Sequence, residues 1–246
     1  MTPACTLTWL GHSTVVVELG GARLVTDPLL RRRIFHLRRS TEPPADLGAV
    51  DAVLVSHVHW DHLDLRSLKR LGSDVHVIAP RGAGKLIRRR GFRNVTELVD
   101  GEVASMNGVD VRATHAEHDT HSRPRRATAP ALGYVISGPP HVYFAGDTDL
   151  FSGMSDLADR LDVALLPVSG WGPRLPAGHL DPKGAAQALR LLQPRYAIPI
   201  HWGTYSPMVG PGSQADPAEE FRRYAEELAP AVDVRVLSPG EGVTLD

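Results

Sequence analysis

The run Ser56-His57-Val58-His59-Trp60-Asp61-His62 constrains this chain more than any other seven residues. It continues directly from Ala52-Val53-Leu54-Val55, a short, wholly apolar run of the kind that forms a strand buried on both faces. Four groups able to bind a metal therefore stand at the mouth of one buried strand. Burying several imidazoles and a carboxylate is costly unless something pairs with them, and a metal ion does so. A polar loop of backbone-bonded histidines accounts for any one of these residues, but poorly for four together. Along an extended backbone side chains alternate faces. That puts His57, His59 and Asp61 on one side, with His62 turning off where the next helix begins. Imidazole and carboxylate donors without thiolate suit Zn²⁺, Mn²⁺ or Fe²⁺.

A metal needs further donors, and other strand ends offer them. The apolar run His141-Val-Tyr-Phe-Ala-Gly146 stops at Asp147, and Gly146 permits a tight turn there. The run Tyr196-Ala-Ile-Pro-Ile200 stops at His201. Another donor lies among His115, His118 and His121, whose equal spacing does not choose between them.

Composition narrows the class. The 246 residues carry 27 Lys+Arg against 28 Asp+Glu, a net charge of −1, so the strong positive balance of a general nucleic-acid binder is missing. The single cysteine, Cys5, rules out an internal disulfide and the thiolate-rich zinc folds. No apolar run approaches the ~18 residues of a membrane span, and the first residues lack a signal-peptide pattern, so the expected location is cytoplasmic. Strand-like runs cover 7–10, 14–19, 23–26, 52–56, 75–79, 95–98, 103–106, 109–113, 132–136, 142–145, 163–167, 196–200 and 232–237. Helices are expected near 64–71, 83–90, 182–192 and 217–228, with Asp181 capping the third. Residues 31–44 read as a loop. No linker divides the chain, so residues 1–246 are expected to form one domain, an α/β sandwich of sheets between helices.

These motifs resemble the metallo-β-lactamase superfamily, through His57-x-His59-x-Asp61-His62 followed in order by His118, Asp147 and His201. Trp9-Leu-Gly-His12-Ser-Thr14, Thr26-Asp27-Pro28, Phe144-Ala-Gly-Asp147-Thr148 and Gly178-His179-Leu-Asp181-Pro182 resemble the branch of ascorbate-6-phosphate lactonases and N-acylphosphatidylethanolamine-hydrolysing phospholipase D. The resemblance runs from about Leu7 to Val243. It implies a four-layer αβ/βα sandwich of two mixed sheets flanked by helices, with the site at one edge. It assigns His57, His59 and His118 to one ion, Asp61, His62 and His201 to a second, and Asp147 to both. It selects His118 over His115 and His121, which line the pocket at most. It puts His179 beside the substrate or leaving group, and leaves His12 and Asp27 as structural hydrogen-bonding residues.

The implied chemistry is hydrolysis of an ester-type bond, phosphodiester or lactone, by hydroxide shared between two divalent ions. Zinc is the first expectation, with manganese and iron as alternatives. Asp61 would orient the nucleophile as well as ligate, and His179 would donate to the leaving oxygen. Two ions, two aspartates and one hydroxide sum to +1, which favours a small anionic substrate. Arg31–Arg33, Arg38 and Arg39, and equally Arg123, Arg125 and Arg126, are either solvated or anion-binding. Two other readings are a ribonuclease-type phosphodiesterase and a non-catalytic metal-binding protein on the same scaffold. A homo-oligomer is compatible with Trp171, Trp202 and Tyr205, which suit either a pocket or an interface.

Overall fold

The computed structural model describes residues 5–119, 129–157, 159, 161–170, 175–208 and 216–245. In the first half the elements are β1 (Cys5–Gly11), β2 (Thr14–Leu19), β3 (Ala22–Thr26), β4 (Arg33–Ile34), β5 (Leu37–Arg39), β6 (Ala52–Leu54), α1 (Leu65–Arg70), β7 (His76–Pro80), α2 (Gly84–Arg88), β8 (Val95–Leu98), β9 (Val103–Met106) and β10 (Val109–His115). Then follow β11 (Leu132–Ser137), β12 (Val142–Phe144), a 3₁₀ turn (Ser152–Leu157), β13 (Val163–Pro167), α3 (Pro182–Leu192), β14 (Tyr196–Ile200), β15 (Tyr205–Pro207), α4 (Pro217–Leu228), β16 (Asp233–Val234) and β17 (Gly242–Leu245).

Two seven-stranded mixed sheets form the inner layers. Their orders are β17-β1-β2-β3-β6-β7-β8 and β16-β14-β13-β12-β11-β10-β9. Strand alternation explains why both faces of each sheet are apolar. Ala52, Leu54 and Ile78 point into the core between the sheets, together with Leu165 and Ile198. Their neighbours Val53, Val55, Val77 and Ala79 point outward and pack on Leu68 of α1 and Ile87 of α2. Ala164 and Leu166 likewise point outward, onto Leu189 of α3 and Phe221 of α4. The chain is thus the four-layer αβ/βα sandwich, built from continuous apolar runs because its central strands have no solvent face.

Helix α3 begins where its sequence says it should. The Asp181 carboxylate accepts from Gly184 N at 2.6 Å, and Pro182 occupies the first turn. Such a cap stabilises by about 1 kcal/mol.

Two local readings of the sequence are corrected. Residues 31–44 are not all loop: β4 and β5 form a hairpin that pairs with β15 in a third, small sheet. The last predicted strand shrinks to Asp233–Val234, and the edge strand β17, paired with β1, takes the role it was expected to fill. Trp202 is partly buried against the core, its ring stacked on Trp9 with centroids 5.2 Å apart. Trp171 and His121 lie outside the described residues.

Candidate metal centre

The ligand-capable side chains come from loops at one end of both sheets. Strand β6 ends at Leu54, and the segment after it leaves the extended conformation. Leu63 N donates to His59 O at 2.8 Å and His62 N to the same carbonyl at 3.2 Å, closing a turn. Simple alternation therefore fails here. His57 and His59 face one cluster, while Asp61 and His62 face another.

Three nitrogens meet in the first cluster. His59 Nδ1 lies 2.9 Å from His57 Nε2 and 3.1 Å from His118 Nε2. The partner nitrogen of His118 is occupied: Nδ1 donates to Gly178 O at 2.6 Å. That leaves Nε2 as the donor atom for a metal, the usual arrangement around a ligating histidine. Gly178 is required for this approach. It sits at φ +80°, and a Cβ there would lie 3.1 Å from both Cα and Nδ1 of His118.

The second cluster is arranged around Asp61. Its Oδ2 lies 3.5 Å from His62 Nε2 and 3.7 Å from His201 Nε2. Asp147 stands between the clusters. Its Oδ2 is 3.1 Å from His62 Nε2 and 3.9 Å from His57 Nε2, and its Oδ1 is 3.5 Å from His201 Nε2. Gly146, at φ +62°, turns the chain after β12 to deliver Asp147; a Cβ there would meet Ser56 Cβ at 2.6 Å. His179 Nε2 reaches Asp147 Oδ2 at 3.4 Å. All seven predicted ligands and His179 are thus brought together. His115 is not among them: it is exposed, 3.4 Å from Glu117, with its ring against Phe151.

Burial and charge set the protonation. Burial, reinforced by the neighbouring His62, holds His57 well below the ordinary histidine range. Burial brings His59 to about 4 and His12 to about 3, and lowers His118. Burial opposes charge on His62 too, but the Asp147, Asp61 and Asp27 carboxylates outweigh it and raise its pKa well above the usual value. Burial works against ionising Asp61 and Asp147, yet the surrounding histidines hold both well below the carboxylate range. His179 is raised, because its contact with Asp147 overcomes burial.

The donors fit a metal. His62 Nε2 and Asp147 Oδ1 are buried and, among the described residues, make no hydrogen bond. Buried polar atoms left so are costly unless an ion satisfies them.

Asp27 and His12, expected as structural hydrogen-bonding residues, both lie against the donors, and Asp27 bonds backbone as expected. Asp27, at φ +30°, accepts from Ser56 N at 2.7 Å and lies 2.7 Å from His62 Nδ1. His12 adjoins Asp61 and His201 rather than lying apart from the donors. The motifs Trp9-Leu-Gly-His12-Ser-Thr14 and Thr26-Asp27-Pro28 marked both residues, but did not give their contacts with His62, Asp61 and His201.

Two mixed sheets between helices, with histidine and aspartate donors gathered at their ends, are the marks of one class of protein. Residues 22–202 match the family model described as Beta-lactamase superfamily domain. The chain is 36% identical to a UPF0173 metal-dependent hydrolase of Caldivirga maquilingensis, over 97% of each chain. It is 35% identical to another from Methanopyrus kandleri, over 96% of this chain and 97% of that one. Its fold is similar to that of the metallo hydrolase Igni18 of Ignicoccus hospitalis, with TM-score 0.76, 26% identity and 99% of each chain covered. The chain belongs to the metallo-β-lactamase superfamily and is a metal-dependent hydrolase. No helix among the described residues is long and apolar enough to cross a membrane.

Proposed function

We propose that residues 1–246 act as one hydrolase domain that cleaves an ester-type bond, phosphodiester or lactone, in a small anionic substrate. The observation that carries this reading is the placement of Asp147 within 3.9 Å of His57 and 3.1 Å of His62, one from each donor cluster. His57, His59 and His118 would hold one divalent ion, Asp61, His62 and His201 would hold the other, and Asp147 stands between the two sets. Zinc suits these donors best, and manganese or iron also suits them. Divalent ions bound there would supply Lewis acidity and a water made acidic enough to act near neutral pH.

The chain's own groups do the rest. Asp61, kept ionised, orients the attacking water as well as holding its ion. His179 directs Nδ1 at the Pro176 and Ala177 carbonyls, 3.2 and 3.3 Å away, and Nε2 at Asp147 Oδ2, 3.4 Å away. With its pKa raised by Asp147, it carries a proton to give to the departing oxygen.

An anionic substrate is also supported by a basic groove that reaches the histidine motif at Trp60, though none of the donors lines it. This groove of about 1080 Å³ is lined by Arg31, Arg66, Lys69, Lys85, Arg89 and Arg90, and one wall is Trp60, from inside the histidine motif. Among the described residues, only Arg31 of these six has a carboxylate within 4.0 Å, that of Asp64. Arg39, by contrast, is buried and donates to the Leu10 and Leu29 carbonyls, so it serves the fold. Arg123, Arg125 and Arg126 lie outside the described residues.

The test is a panel of chromogenic phosphodiesters, carboxylic esters and lactones, with the native protein and His59→Ala. Turnover of one class, abolished in His59→Ala, is the expected result. No turnover of any ester-type bond by fully metal-loaded protein would reject the reading.

A further inference from the structure

His12 does more than brace the fold. It occupies the two-residue turn between β1 and β2, at φ +52°, a backbone conformation that side-chain-bearing residues rarely adopt. Its backbone is tied to the His201 turn from both sides. His12 N donates to Thr204 Oγ1 at 2.6 Å, and His12 O accepts from His201 N at 2.9 Å. Trp9 Nε1 adds a third bond to the same carbonyl at 2.8 Å. The turn is thereby fixed to the loop that carries a donor of the second cluster, and its strained residue points inward.

The ring reaches the centre of that cluster. His12 Nε2 lies 3.3 Å from Asp61 Oδ2, against 3.5 Å for His62 Nε2 and 3.7 Å for His201 Nε2. The His12 ring lies 4.0 Å from that of His201 and 5.3 Å from that of His62. One donor atom from each of His12, Asp61, His62 and His201 falls within 4.8 Å of all the others. Zinc–nitrogen and zinc–oxygen bonds of about 2.0–2.2 Å put neighbouring tetrahedral donors about 3.3–3.6 Å apart. His12 meets that spacing, and the same 3.3 Å contact is also within reach of a hydrogen bond to Asp61.

We propose that His12 is a metal ligand, so that the second ion is held by three imidazoles and Asp61 rather than two imidazoles and Asp61. Each ion then has three histidine nitrogens, and Asp147 faces both. A nitrogen-rich second site favours zinc, iron or cobalt over manganese and magnesium. This proposal rests on the two-ion reading above.

Metal content and affinity separate the alternatives. His12→Asn suits the positive φ, since asparagine visits that region readily, and it offers no imidazole. His12→Gln keeps a hydrogen-bond donor for Asp61 without a competent ligand. Both variants and the native protein are loaded with Co²⁺ or Zn²⁺ and titrated against a chelator, with the melting curve as a control of folding. The native protein is expected to hold two ions per chain. Each variant is expected to keep the first ion at native affinity and bind the second at least tenfold more weakly. In the Co²⁺ form, proton NMR should show hyperfine-shifted ring signals from His12. Two ions bound at native affinity in both variants would overturn the His12 assignment alone. The same follows if only His12→Asn loses the second ion and His12→Gln keeps it, since that pattern marks a hydrogen bond. One ion in the native protein would overturn the two-ion reading together with this one.

Discussion

Asp27 Oδ2 lies 2.7 Å from His62 Nδ1, with both side chains completely buried. The contact fixes the imidazole so that Nε2 points at Asp61 and Asp147. Asp27 is itself held by the backbone and hydroxyl of Ser56, the residue that opens the histidine motif. A carboxylate behind a ligating histidine sets its orientation and raises its basicity. Replacing Asp27 by Ala is therefore expected to weaken the second ion by about 10–100-fold, the range typical of such partners. Asp27→Asn, which keeps an oxygen in place, should lose less. Chelator competition on the purified variants checks both values, and equal affinities in Asp27→Ala and the native protein would contradict the argument.

The proposed site of His57, His59 and His118 rests on a different backbone contact. Gly178 O fixes the His118 ring, and a Cβ on Gly178 would lie 3.1 Å from His118 Cα and Nδ1, so the ring would have to give way. Gly178→Ala adds strain at φ +80° and pushes against the ligand. The first ion should bind about tenfold more weakly, within the range for perturbed outer partners, while the second changes little. Titration of the variant with Co²⁺, followed by its visible spectrum, distinguishes the two sites.

The basic groove beside Trp60 gives an electrostatic prediction. Lys85 and Arg89 are exposed, so Lys85→Glu with Arg89→Glu should fold normally. KM for an anionic substrate should rise several-fold at low salt, and the rise should shrink as salt screens the charges. The KM for a neutral ester should not move, and kcat should stay near native for both. Steady-state kinetics at two ionic strengths measures this.

Cys5 lies on β1 in the core between the sheets, fully buried. Burial pushes its thiol up to about 12, so almost none is thiolate at pH 8. Native protein should resist thiol reagents for hours at that pH, and denatured protein should react once per chain. Rapid labelling of the native form would contradict the placement of β1.

Much of this was legible in the sequence, for reasons that differ between elements. The central strands were readable because both faces are buried, which writes a continuous apolar run such as Val163–Pro167. The donors were readable because strand ends finish abruptly at Asp147 and His201. Short edge elements were not. Strands β4, β5 and β15 have only two or three residues each and are set by pairing with one another, not by an apolar pattern. The division of the histidine motif also escaped simple alternation, because the turn at His59 O breaks the extended chain. The side-chain partners of His12 and Asp27 escaped for another reason. Each residue acts through a partner distant in sequence, Asp61 or His62, and a lone polar residue in a turn does not announce that partner.

The central claim is that two ions held by these clusters carry the hydrolysis. The direct measurement is a titration of metal-free protein with Zn²⁺ or Mn²⁺, following bound ion and turnover of a chromogenic ester or phosphodiester together. The account predicts no turnover without metal, and full turnover only as the second equivalent fills. Full turnover by the metal-free protein would contradict it.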